Sequence, residues 1–349
     1  MNSLVSLDSE VRIRGGSEGL RTSESGHQTV GAAIYRVAPP PRNTNCHGSR
    51  TGNECHPATS IFVTAQDGLR LHVRSYGPRT GAGLPIVCLP GLARTGADFD
   101  LLAARLAGDP ERPRRVVALD SRGRGRSDYD PDPANYSLAV ELADLIAVLT
   151  ALDIARAVFV GTSRGGLLTM LLAVVRPTAI AGCVLNDIGP VIDLKGLVRI
   201  KSYVGKLPQP ASFQQAADIL QGAFGSQFPK LNDDDWTAFA RRTFKEAGGR
   251  IVPDYDVKLA TALEATDLER PLPVLWKEFD ALARVPAMVI RGGNSDILSA
   301  ATVEAMRTRR TSLDVIEVPD EGHAPMLTGD DIIGRIASFV KFCERSNQH

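Results

Sequence analysis

Six short, nearly unbroken apolar runs set the rhythm of the chain. They are PIVCLPG at 85–91, RVVALD at 115–120, AVFVG at 157–161, GCVLND at 182–187, AMVIRGG at 287–293 and DVIEVPD at 314–320. Runs of this length without polar alternation predict strands covered on both faces, as in a parallel sheet. The segments between them carry helical stripes. Phe99, Leu102, Ala103 and Leu106 form one, and Leu138, Leu142, Leu145, Ile146 and Leu149 another, with Ser137 placed to cap it. Ile332, Ile333, Ile336, Phe339, Val340 and Cys343 form the last. Upstream, SIFVTAQDGLRLHVRSYG at 60–77 predicts a hairpin that turns at Asp67-Gly68. Strands alternating with helices predict an α/β fold with a doubly wound, mostly parallel sheet.

The alternation breaks between 191 and 283. That stretch predicts consecutive helices, one on Phe213, Ala216, Ala217, Leu220 and Phe224, another on Trp236, Phe239, Ala240 and Phe244. NDDDW at 232–236 reads as a helix start, with acids at the positive end of the dipole. The α/β core is therefore expected at 59–190 and 284–349. Residues 1–58, rich in Gly, Ser, Thr, Arg and Pro without periodicity, are expected to be a disordered extension. Cys46-His47 and Cys55-His56 lie in it, but they lack the Cys-x2-Cys spacing of a zinc site and read as linker.

Composition narrows the function. With 40 basic and 40 acidic residues in 349, the chain has no general electrostatic affinity for nucleic acid or an anionic membrane. The SRGRGRS stretch at 121–127 reads as a structural loop tied to neighbouring carboxylates rather than as an RNA-binding segment. The longest apolar stretch, 165–175, is too short to span a bilayer, and the N-terminus has no signal-peptide core. Five scattered Cys, two of them in strand-like runs, point to a reducing cytoplasm.

The candidate chemistry centres on VFVGTSRGGLLT at 158–169, where Ser163 stands between Gly161 and Gly165 at the end of a predicted strand. A sharp strand-to-helix turn forces its central residue into strained geometry and requires small flanks. A Ser hydroxyl needs a base to become a nucleophile. Of six His, His27, His47, His56 and His349 lie in the extension or at the terminus. His72 alternates with Leu71 and Val73 and is expected to face solvent. His323, just past the last predicted strand, remains, at the carboxyl edge where open α/β sheets place their sites. Asp296, after the preceding strand, is the expected orienting acid because it keeps the order Ser, Asp, His; Asp187 is the alternative. Backbone N–H groups of Arg164 and Leu92 are the expected oxyanion donors.

With Ser163, Asp296, His323 and the LPGLART loop at 89–95, the chain resembles an α/β-hydrolase over residues 59–349. The resemblance extends to DSRGRGRSD at 120–128 and to GHAP around His323. It implies a Ser-His-Asp triad, no cofactor, no metal, and a helical cap inserted after the sixth strand, which matches 191–283. Pro90-Gly91 stands where the family often has His-Gly, and Arg164 is a less usual neighbour of the nucleophile. Ten of the 19 aromatics fall within 191–283, so the cap should supply an apolar pocket, with Trp236 and Trp276 as candidate substrate-binding residues. The expected partner is a small-molecule substrate: a small to medium hydrophobic ester or lactone, cleaved through an acyl-enzyme. C–C bond hydrolysis, thioester hydrolysis and a non-catalytic ligand-binding role are the alternatives on the same fold.

Overall fold

The computed structural model describes residues 34–36, 58–265, 267 and 270–346. The strands are β1 (Ile34–Arg36), β2 (Thr59–Thr64), β3 (Arg70–Tyr76), β4 (Ile86–Leu89), β5 (Val116–Leu119), β6 (Ala157–Thr162), β7 (Ile180–Asn186), β8 (Phe244–Ala247), β9 (Arg250–Pro253), β10 (Ala287–Gly292) and β11 (Asp314–Val318). The helices are α1 (Asp100–Ala107), α2 (Leu138–Ala151), α3 (Arg164–Val175), α4 (Leu194–Tyr203), α5 (Phe213–Phe224), α6 (Asp233–Thr243), α7 (Leu259–Glu264), α8 (Trp276–Asp280), α9 (Ala300–Arg309) and α10 (Asp330–Ser346). Nine strands form one sheet in the order β1-β2-β3-β5-β4-β6-β7-β10-β11. β1, β2 and β3 run antiparallel at one edge, and every pairing from β5 to β11 is parallel.

Burial explains why the central strands lack alternation. All residues of β4, β5 and β7 are buried. One face packs Phe99, Leu102 and Leu106 against Ile333, Ile336, Phe339 and Val340 of α10. The other packs Leu145, Val148 and Leu149 of α2 and Leu168, Met170 and Leu172 of α3. Ser137 caps α2 as expected, accepting from the Val140 N–H. The Asp67-Gly68 hairpin also forms as expected, with Thr64 opposite Arg70.

Residues 191–283 carry α4 to α8, but they are not all helical. β8 and β9 pair as a hairpin, Phe244 opposite Pro253, turning at Gly248 and Gly249, both with positive φ. Phe244 therefore begins a strand instead of ending a helix. Trp236, Phe224, Phe228 and Leu220 form a separate apolar cluster with the hairpin's Ile251. The capping box at Asn232 and Asp235 starts α6, as NDDDW suggested. This unit is tied to the core loop at 120–128: the Gly125 N–H donates to the Asp254 carbonyl, and the Asp256 N–H to that of Gly123.

His72 is fully buried, contrary to its expected exposure. β3 is interior, between β2 and β5, and the 120–128 loop covers its second face. His72 Nδ1 lies 2.7 Å from Asp120 Oδ2 and Nε2 lies 3.0 Å from Ser60 Oγ. Two of the loop's three arginines are, as expected, held by carboxylates, Arg122 by Asp144 and Asp130 and Arg124 by Glu141, whereas Arg126 donates to Ser60 Oγ. Within the expected extension, Ile34–Arg36 add the edge strand β1; the Cys46, His47, Cys55 and His56 reading lies outside the described residues.

Candidate active site

β6 ends and α3 begins around one residue, Ser163, whose φ of 51° and ψ of −114° no ordinary L-residue adopts without strain. Only glycines allow so close a join. A Cβ on Gly161 would sit 2.6 Å from the Gly165 backbone, and one on Gly165 would sit 2.1 Å from the Leu89 carbonyl oxygen. The turn is pinned by the Ser163 N–H, which donates to the Asn186 carbonyl at 2.9 Å. Asn186 in turn donates its side-chain amide to Thr162 Oγ1 and to the Pro325 carbonyl, joining the serine's strand to the histidine's loop.

His323 Nε2 lies 2.8 Å from Ser163 Oγ, although 160 residues separate them. On the other side of the ring, Nδ1 lies 2.8 Å from Asp187 Oδ2. The carboxylate beside the imidazole is thus Asp187, not Asp296. Asp187, at φ 55°, turns left-handed just past β7 and reaches over the end of the neighbouring β10. There its Oδ1 accepts from the Gly292 N–H at 2.8 Å and its Oδ2 from the Ser295 hydroxyl at 2.6 Å. Asp296 instead binds Arg199 of α4 through both oxygens, at 2.6 and 2.8 Å. Burial alone would raise its carboxyl, but the Arg199 guanidinium holds it below the usual carboxylate range. Ser295 and Asn186 carried no motif in the sequence; their roles follow from the strand ends that they join.

The Arg164 N–H lies in the first turn of α3, where helical N–H groups find no partner within the helix. Leu92 follows Gly91, at which a Cβ would approach that of Ser163 to 3.8 Å. The Gly91 carbonyl accepts from the Arg94 N–H, and in a trans peptide this turns the Leu92 N–H to the opposite side. The Arg164 side chain is turned to the protein: it pairs with buried Glu141 at 2.7 Å and donates to the Tyr136 carbonyl.

Two cavities meet at Ser163. The smaller, about 130 Å³, is lined by Ser163, His323, Leu92 and an aromatic wall that includes Tyr203, Phe224, Phe228, Phe239 and Tyr255. The larger, about 560 Å³, is bounded by Ser163, Arg164, Leu92 and aliphatic side chains such as Leu167, Leu171, Ile192, Leu197 and Leu275. The expected aromatic pocket exists, but Trp236 and Trp276 do not line it. Trp236, 2% exposed, packs the inside of the inserted unit. Trp276 stacks under Arg309, 4.4 Å from its ring centroid. Among the described residues no group of side chains could hold a metal ion, and no helix is long and apolar enough to cross a membrane.

A strained serine, an imidazole within hydrogen-bond reach and a carboxylate behind it, at the carboxyl edge of a parallel sheet, define a class of enzyme, and similarity in sequence agrees. A profile of the alpha/beta hydrolase family matches residues 86–335, and the chain belongs to that family; it is a hydrolase. It is 32% identical over 247 residues to a 3-hydroxybutyrate-oligomer hydrolase of Cupriavidus necator, covering 69% of this chain and 82% of that protein. Over 252 residues it is 29% identical to an sn-1-specific diacylglycerol lipase of Mus musculus, covering 69% and 76%. A crystal structure of an alpha/beta hydrolase from Novosphingobium aromaticivorans superposes with a TM-score of 0.76 at 42% identity, covering 82% of this chain and 99% of that one.

Proposed function

We propose that the protein is a serine hydrolase of hydrophobic carboxylic esters or lactones, acting through Ser163, His323 and Asp187. The observation that carries this reading is the unbroken series from Ser163 Oγ to His323 Nε2 and from Nδ1 to Asp187, each step 2.8 Å. His323 takes the hydroxyl proton as Ser163 attacks the carbonyl carbon, and Asp187 stabilises the imidazolium. The Leu92 and Arg164 N–H groups receive the oxyanion, helped by the positive end of α3. His323 then protonates the leaving alkoxide, and water attacks the acyl-enzyme by the same route. The aliphatic cavity favours an apolar acyl chain. Relatives named for an ester oligomer and for a lipid favour ester over C–C cleavage. The buried thiols of Cys88 and Cys183 fit a reducing cytoplasm.

A fluorophosphonate probe tests the reading. The wild type labels with one equivalent, Ser163→Ala does not label, and p-nitrophenyl esters are turned over only by the former. A wild type that stays unlabelled yet binds small apolar ligands is a binding protein, and the proposal fails.

A further inference from the structure

His323 lines the smaller cavity and not the larger, whereas Ser163 and Leu92 line both. Because the imidazole must deliver its proton to the leaving oxygen, the alcohol half of an ester belongs on its side. The acyl half is left with the aliphatic cavity. This orientation rests on the serine-hydrolase reading above.

The alcohol side is not purely apolar. Arg94 and Arg242 both line it, with Asp98 as the carboxylate between them. Arg94 engages both Asp98 oxygens, donates to Thr243, and lies 4.5 Å from the Phe239 ring centroid. Its charge is matched. Arg242 reaches the same Asp98 only at 3.6 Å, beyond hydrogen-bond distance. The other acids that its charge feels are committed elsewhere: Asp100 to Arg74 and Tyr76, and Asp235 to the start of α6. Its side chain is only 22% exposed, and burial lowers its pKa, the mark of a cation short of compensating charge. A second anion delivered to this wall would meet a planar donor fork that Asp98 engages only at 3.6 Å.

The geometry points to a substrate whose alcohol half carries a carboxylate, an acyl ester of a small hydroxy acid, with Arg242 as the residue that receives that carboxylate. Ser163 Oγ bonds to the acyl carbon as the ester C–O bond breaks. The serine proton passes through His323 to the alkoxide, and the free hydroxy acid leaves. Water then releases the apolar acid from Ser163.

The test uses a matched pair: hexanoyl 3-hydroxybutyrate as the free acid, and its methyl ester, in which the carboxylate is masked. The wild type should favour the free acid in kcat/KM by about tenfold or more, as a charge-assisted pair at a half-buried site warrants. Arg242→Gln should bring that ratio close to one, and Arg242→Lys should keep part of it. A wild-type ratio at or below one overturns the proposal without using any variant. So does an Arg242→Gln ratio equal to that of the wild type. Because both esters need Ser163, failure of the serine mechanism shows separately, as loss of fluorophosphonate labelling.

Discussion

Two aspartates compete for the role behind His323, and exchanging each for asparagine separates them. Asp187 accepts three hydrogen bonds, from His323, Ser295 and the Gly292 N–H. In Asp187→Asn the amide has two orientations. With its oxygen toward His323 and Ser295, its NH2 opposes the Gly292 N–H; reversed, its NH2 opposes Nδ1 and drives the ring proton to the nitrogen that should accept from Ser163. In either, the charge facing the imidazolium is gone. At an effective dielectric near 20 and about 4 Å, that charge is worth about 4 kcal/mol, or about a thousandfold in rate. Asp296→Asn removes a carboxylate committed to Arg199, and kcat should stay within about threefold of wild type. Hydrolysis of p-nitrophenyl butyrate at saturating substrate gives kcat, and near-UV circular dichroism verifies the fold of both variants. If Asp296→Asn loses the thousandfold while Asp187→Asn keeps its rate, the assignment is wrong.

Acid stability follows from the same pair. The Asp296 carboxyl is lowered below 3.8 in the folded state, so its contribution is present above that value and is lost as pH falls through the lowered one. The urea midpoint of Asp296→Asn should lie below that of wild type at pH 7, and the gap should close below about pH 3.8; a gap that widens on acidification contradicts the sign. Gly165→Ala drives a Cβ to within 2.1 Å of the Leu89 carbonyl and should cost about 3 kcal/mol or more by thermal melting; an unchanged Tm would mean that strand and helix are not so closely joined. Ile192→Trp fills part of the 560 Å³ cavity, so kcat/KM for decanoyl esters should fall by about tenfold or more relative to acetyl esters, and equal losses would move the acyl chain elsewhere.

What the chain disclosed in advance depended on how local the signal was. Unbroken apolar runs, the glycines around Ser163 and the elimination of other histidines are nearest-neighbour facts, and the structure places Ser163 and His323 together accordingly. The acid was not legible in the same way. Asp187 and Asp296 both follow parallel strands and both keep the order Ser, Asp, His, so chain order does not separate them. What decides is the left-handed backbone at Asp187 and a cation on α4 that claims Asp296, and neither has a sequence signature. His72 misled because alternation marks the second face of a strand but not whether a loop covers it. The hairpin of β8 and β9 did have a signal, the Gly248-Gly249 pair, which the helical spacing of Trp236, Ala240 and Phe244 obscured.

Helix α4 has a consequence for how specificity changes in this enzyme. Ile200 borders both cavities, Tyr203 faces the smaller and Leu197 the larger. The helix is moored to the loop after β10 by Arg199 on Asp296 and by the Gly196 N–H on the Asp296 carbonyl. On the ester reading proposed above, the two halves of a substrate are therefore read by one helix. A replacement that reshapes one compartment through α4 shifts the wall of the other, so preferences for the two ends of an ester drift together rather than independently.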